Sequence, residues 1–399
     1  MSLRSWCRST RARAGVVAFA SVFLWLAQHV ASAVAQQELV EAPVFEVDPL
    51  WPKPLPNRWV LGSTIGVGVD SRDHVFIIHR PATVDPVSEG GAAANPPLSE
   101  CCVPAPPVLE FDPEGNLVNA WGGPGPGYDW PASNHGITLD HKDNVWIGGN
   151  GTNDSHILKF TRDGRFLMQI GKANQPVNSL SREHFGRVAK IAFDPEANEA
   201  YVADGYGNKR VAVIDMETGA IKRFWGAYGN VPSDSNYGPY NPDAPLIPQF
   251  RNPVHCAEPS HDGLIYVCDR PNNRIQVFRR DGSFVKEQQI APRTLGDGSV
   301  WDIAFSRDPQ QKYLYLADGK NERIYVIERE SLRVLTMFGD GGRQPGQFYA
   351  VHSIATDSKG NIYTTETYEG KRVQKFVYKG IGRVPRNQGV VWPRSGSGR

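Results

Sequence analysis

Neutral imidazole is a common ligand for a catalytic divalent metal, and three histidines of this chain stand at one phase of an internal repeat. They open the stretches HGITLD (His135 to Asp140), HCAEPS (His255 to Ser260) and HSIATD (His352 to Asp357). Copies without histidine lie between and before them: IGVGVD from Ile65, AKIAFD from Ala189 and WDIAFS from Trp301. In chain order the phase position reads Ile65, His135, Ala189, His255, Trp301, His352. A single histidine at a strand start is ordinarily structural or solvated. An alternating set is different, because in a closed ring of six units the three imidazoles are related by threefold symmetry and face one point. Three imidazoles with a fourth position open form a catalytic zinc arrangement. One zinc ion per chain is the expectation; Fe(II), Mn(II) and Cu(II) are compatible with the same ligand type.

Two further side chains could complete such a centre. Arg80 ends the run VFIIHR and can hold a carboxylate in a bidentate fork. The competing reading is a rim arginine in a surface ion pair. Tyr206, in ADGYGNKR, can serve as a base beside a divalent cation. Its competing reading is a packing tyrosine.

The elements that would position these residues are strands. Alternating Val, Ile, Tyr and Phe runs are separated by DG, GN and DPEG turns, and the mature chain has no credible helical stretch. Four short strands per unit describe a β-propeller blade, and six units can be counted, so the expected fold is an all-β, six-bladed propeller. The early strand Pro43 to Asp48 resembles the third strand of the first unit and is expected to join the last blade, closing the ring. The domain is expected to span residues 36–383. Insertions at 81–107, 123–134 and 228–253 join strands on a propeller face and could wall a pocket. The Pro-, Arg- and Gly-rich tail, 384–399, is expected to be disordered.

Residues 1–35 read as a signal peptide: Arg4, Arg8, Arg11 and Arg13, then a mostly apolar run to Val30, then small residues up to Ala35. The protein is therefore expected to be exported, periplasmic or extracellular, with no membrane insertion after cleavage. Removing the four arginines from 43 Lys+Arg leaves 39 against 42 Asp+Glu, a net charge of −3. That balance gives no reason to invoke nucleic acid as a partner. Of five cysteines, Cys7 leaves with the signal. Cys256 and Cys268 suit a cross-strand disulfide, while Cys101 and Cys102 could be a vicinal disulfide or reduced.

Taken together, these segments resemble the peptidyl-α-hydroxyglycine α-amidating lyase family, six-bladed propellers of the NHL-repeat type. The family's zinc histidines open strands of the form PHGL, PHSL and PHDI; here the matches are NHGI at His135, VHCA at His255 and VHSI at His352. A family segment ending FHR carries the arginine that binds the substrate carboxylate, and IIHR supplies Arg80. The family's VSDGYCNSR carries a catalytic tyrosine, and VADGYGNKR supplies Tyr206. The resemblance implies a zinc-dependent lyase that splits an N-acyl-α-hydroxyglycine, a small or peptide-derived carboxylate, into an amide and glyoxylate. Three positions depart from the family. Ser353 replaces an aspartate tied to a structural calcium, so calcium is not expected; Ala350 replaces a pocket methionine; Gly207 replaces a cysteine. Two alternatives stay open: another metal-dependent lyase or hydrolase on the same scaffold, and a non-enzymatic NHL propeller that binds a protein or glycan.

Overall fold

The computed structural model describes residues 39–393; the expected signal peptide lies outside them. Six four-stranded antiparallel sheets form the blades of a propeller. Their innermost strands are Ser63–Val69, Asn134–Leu139, Val188–Asp194, Val254–Pro259, Asp302–Phe305 and Val351–Thr356, for blades one to six. Alternating apolar runs bury on both faces between neighbouring blades, which is why most residues of the two inner strands are buried. Among the described residues the only helical pieces are four 3₁₀ turns of three residues each, so no helix is long and apolar enough to cross a membrane.

The ring closes as the sequence suggests. Leu39–Asp48 pairs antiparallel with Val373–Pro385 and becomes the outer strand of blade six. Phe45 inserts against Tyr315, Phe338 and Tyr378, so closure also joins blades five and six by aromatic packing. Residues 384–393 of the tail are ordered rather than disordered; 394–399 lie outside the described residues. Val384 and Pro385 still pair in the closing strand, and the chain then runs along blade five: Arg386 O accepts from Met337 N and Gly389 O from Gly339 N. Val391 O accepts from Val47 N at 2.8 Å. Unpaired outer-strand amides recruit this segment despite its composition.

All three insertions emerge at the end of the propeller where the inner strands begin. Residues 81–107 follow Arg80, which pairs with Ser63; residues 123–134 and 228–253 lead into the first strands of blades two and four. Cys256 and Cys268 face each other across the first two strands of blade four and are joined; Cys101 and Cys102 form a vicinal disulfide in the first insertion.

Buried His79 anchors that insertion. Its Nδ1 accepts from Gly62 N at 3.0 Å and its Nε2 donates to Pro106 O at 3.0 Å. Burial pushes its pKa down to about 4. The folded value lies below the unfolded one near 6.5, so protonation favours the unfolded chain. Stability is whole above pH 6.5 and erodes as pH falls toward 4, by about 3 kcal/mol at most from this group. Melting temperature should therefore fall less steeply between pH 7 and 4.5 in His79→Gln than in the wild type; parallel slopes would contradict this role.

Candidate metal centre

The alternating histidines converge. His135, His255 and His352 are buried, and one ring nitrogen from each lies within 4.8 Å of the others. Their ring centroids are 4.8–5.2 Å apart. A local backbone device aims them inward. In five blades the inner strand slips register at the phase position. The slips fall between Thr64 and Gly66, Asn134 and Ile137, Val188 and Lys190, Val254 and Cys256, and Val351 and Ser353. Such a bulge leaves a residue outside the ladder and turns its side chain toward the axis. Gly136 is needed beside the first histidine, because a Cβ there would overlap Ala189 O.

The copies without histidine also take part. His135 Nδ1 donates to Ala189 O at 2.7 Å, His352 Nδ1 to Ile65 O at 2.6 Å, and His255 Nδ1 to Trp301 O. Each acceptor is the phase residue of the next blade. These bonds fix the tautomer, leaving every Nε2 lone pair directed at the axis, the usual outer support of a metal-bound histidine. Burial, together with neighbouring His352 and Arg80, holds His135 well below the ordinary histidine value. Burial and Arg270 do the same for His255, and they push His352 down to about 3. Three neutral imidazoles with converging lone pairs and no proton between them fit a divalent cation.

The remaining walls come from the corners that follow each blade's second strand. In blade three Asp204 is clamped by Arg210 Nε and Asn208 Nδ2; in blade four Asp269 is clamped by Arg274 Nε and Asn272 Nδ2. A residue just beyond each clamped aspartate reaches the axis. Tyr206 Oη lies 2.9 Å from His135 Nε2 and 3.1 Å from His255 Nε2. Gly205 lets this loop press on the strand of His255, since a Cβ would overlap Val254 O. Asn252 Nδ2 holds the loop by donating to Gly205 O and Asn208 O. Arg270, from the matching corner of blade four, donates to Tyr206 Oη at 3.3 Å and stacks 4.6 Å from the Trp301 ring centre.

Arg80 stands at the equivalent place in blade one. Its Nη2 donates to Asn150 Oδ1 at 2.7 Å and its Nε to Asn134 O at 3.1 Å. Among the described residues no carboxylate lies within ion-pair distance, and burial lowers its pKa. It is not the surface ion pair of the competing reading. The structure thus brings together His135, His255, His352, Tyr206 and Arg80, all five residues singled out from the sequence, and adds Arg270. A signal for Arg270 exists in the chain, because CDRPNNR follows the second strand of its blade as ADGYGNKR does, with one residue fewer between Asp and Arg.

One residue deeper, a buried ionic cluster crosses the channel. Lys190 Nζ lies 2.8 Å from Asp302 Oδ1 and 2.9 Å from Glu258 Oε1. Burial alone would lower the ammonium's pKa, but Asp302 and Glu258 together push it up. Ser353 Oγ donates to Asp302 Oδ2 at 2.7 Å, so this serine serves the lysine-centred network. A second grouping of potential ligands, Asp70, His74 and Glu110, already holds a cation: Arg162 Nη2 contacts Asp70 and lies 2.6 Å from Glu110 Oε1.

Fold and site thus define a six-bladed propeller with a three-histidine, metal-competent centre on its axis. No protein-family model matches the chain. It is similar to peptidyl-alpha-hydroxyglycine alpha-amidating lyase 1 of Drosophila melanogaster, 25% identical over 367 residues, covering 84% of this chain and 60% of that protein. The chain therefore spans about 60% of that relative's length. It is also similar to NHL repeat-containing protein 3 of Mus musculus, 24% identical over 356 residues and 85% of each chain. A solved structure of a protein of unknown function from Bacteroides thetaiotaomicron shares the fold, with a TM-score of 0.50 at 14% identity, over 86% of this chain and 77% of that one.

Proposed function

We propose that the chain is an exported zinc-dependent lyase that cleaves the C–N bond of an N-acyl-α-hydroxyglycine, giving an amide and glyoxylate. The observation that carries this is the meeting of three converging Nε2 atoms with Tyr206 Oη and the carboxylate-free Arg80. A zinc ion held by His135, His255 and His352 would supply a Lewis acid toward the substrate's α-hydroxyl oxygen. Arg80 receives the substrate carboxylate, replacing lost solvation with a charge-assisted fork. Tyr206 acts as the base and accepts the α-hydroxyl proton. Arg270 donates to the tyrosine oxygen and stabilises negative charge there. As the hydroxyl carbon becomes the carbonyl of glyoxylate, the C–N bond breaks and its electrons go to nitrogen. The proton returns to that nitrogen, so the reaction consumes no water and changes no net redox state.

Arg80→Gln should raise KM by roughly ten- to a hundredfold, the 1.5–3 kcal/mol of a charged hydrogen bond, with a smaller change in kcat. Steady-state kinetics on α-hydroxyhippurate checks this; an unchanged KM would contradict the assignment. The lyase reading itself is tested by product analysis, with benzamide and glyoxylate expected in equal amounts.

A second reading keeps the metal and changes the substrate: another lyase or hydrolase of a hydroxy-acid derivative. Ser353, committed to the Lys190 network, favours it because the channel chemistry departs from the family pattern. Metal binding without glyoxylate release would select it. The reading as a non-enzymatic NHL propeller that binds a protein or glycan predicts no stoichiometric metal and no effect of losing Arg80 or Tyr206.

A further inference from the structure

The lyase reading leaves the N-acyl end of the substrate unplaced. A groove of about 440 Å³ opens beside Arg270, on the face where the inner strands begin. Insertion 228–253 forms one wall with Tyr237, Tyr240 and Arg251, and Lys209 and Leu295 complete it. Arg270 belongs to both places: it lines the groove and donates to Tyr206 Oη, which touches two of the histidines. A molecule reacting at the histidines therefore has this groove one side chain away.

The groove is cationic. Lys209, Arg251 and Arg270 line it against one carboxylate, Asp297, which lies 3.5 Å from Arg270. Lys209 Nζ is held by main-chain oxygens, Asp234 O at 3.2 Å and Ser235 O at 2.5 Å. Arg251 donates to Asn272 Oδ1 at 2.8 Å and to the main-chain oxygens of Tyr237 and Gly238. The nearby carboxylates are engaged elsewhere: Asp234 accepts from Ser179, and Asp269 from Arg274. Burial lowers the pKa of both Lys209 and Arg251 and outweighs the opposing pull of Asp234 on the lysine and of Asp269 on the arginine. Leu295 and Tyr237 add half-exposed apolar faces.

We propose that this groove is the acyl subsite and selects N-acyl groups that carry an anion, such as an acidic residue preceding the hydroxyglycine of a peptidyl substrate. Only the identity of the scissile end rests on the lyase reading. The test is calorimetric titration of the zinc-loaded protein with two inert analogues lacking the reactive hydroxyl, N-acetyl-Glu-Gly and N-acetyl-Gln-Gly. The glutamate analogue should bind about tenfold tighter at low salt, and the preference should shrink as salt screens it. Arg251→Gln and Lys209→Met should each reduce the ratio of the two affinities. Equal affinities, no binding of either, or a preference indifferent to salt and both substitutions would overturn the inference. The wild-type salt series keeps the test decisive should a variant misfold. Glyoxylate release from the matching α-hydroxyglycine compounds is measured in parallel. A binding preference without glyoxylate would end the lyase reading and leave the groove an acidic-ligand site.

Discussion

His255→Ala is expected to abolish stoichiometric zinc and to lower glyoxylate release by about a thousandfold or more, since a Lewis acid at the reacting oxygen would supply several kcal/mol. The structure makes this the cleanest ligand to remove. His255 sits at a register slip rather than within the ladder, so truncation breaks no strand-pairing bond of its own imidazole. The strand beside it stays pinned by the Cys256–Cys268 disulfide. The loss includes the bond from Nδ1 to Trp301 O, a modest stability cost of about 1 kcal/mol. Metal analysis, the glyoxylate assay and a thermal melt of the same preparation separate these effects. A folded variant that kept one zinc and full activity would remove His255 from the centre.

Tyr206→Phe has the second-largest expected effect: kcat falls by about 10²–10⁴ while zinc content and KM change little. Phenylalanine keeps the ring that packs 4.8 Å from the His135 ring and loses only the oxygen that reaches two Nε2 atoms. A merely structural tyrosine would show its loss in stability instead. The split between kcat and KM is the readout, and a variant with unchanged kcat would leave the base to be found elsewhere.

Much of this is legible in the chain because repeats announce themselves. Turn residues and alternating apolar positions mark the strands, and counting units yields the six blades and the closing strand. The phase of the histidines implies their convergence, since symmetry turns a sequence interval into a spatial angle. What is not legible depends on register and on distant partners. Nothing in HGITLD or HCAEPS signals that the ladder slips at His135 or His255, yet that slip aims the imidazoles. The carbonyls of Ala189, Trp301 and Ile65 are invisible as ligand supports because any residue supplies one. Arg270 hides in an ordinary turn sequence. The composition of the tail records flexibility but not the unpaired outer-strand amides that bind it.

The buried Lys190–Asp302–Ser353 network illustrates the same limit. Each member lies one residue beyond a phase position: Lys190 after Ala189, Asp302 after Trp301, Ser353 after His352. Sequence alone could mark Ser353 only through a resemblance, but the fold shows a lysine ammonium satisfying the carboxylate it touches.

The most direct test of the central claim is a zinc titration of metal-stripped protein, followed by glyoxylate release from α-hydroxyhippurate at each addition. The three-histidine lyase predicts activity rising from background and breaking sharply at one equivalent of zinc per chain. A protein that binds no zinc, or that binds one equivalent and releases no glyoxylate, contradicts it.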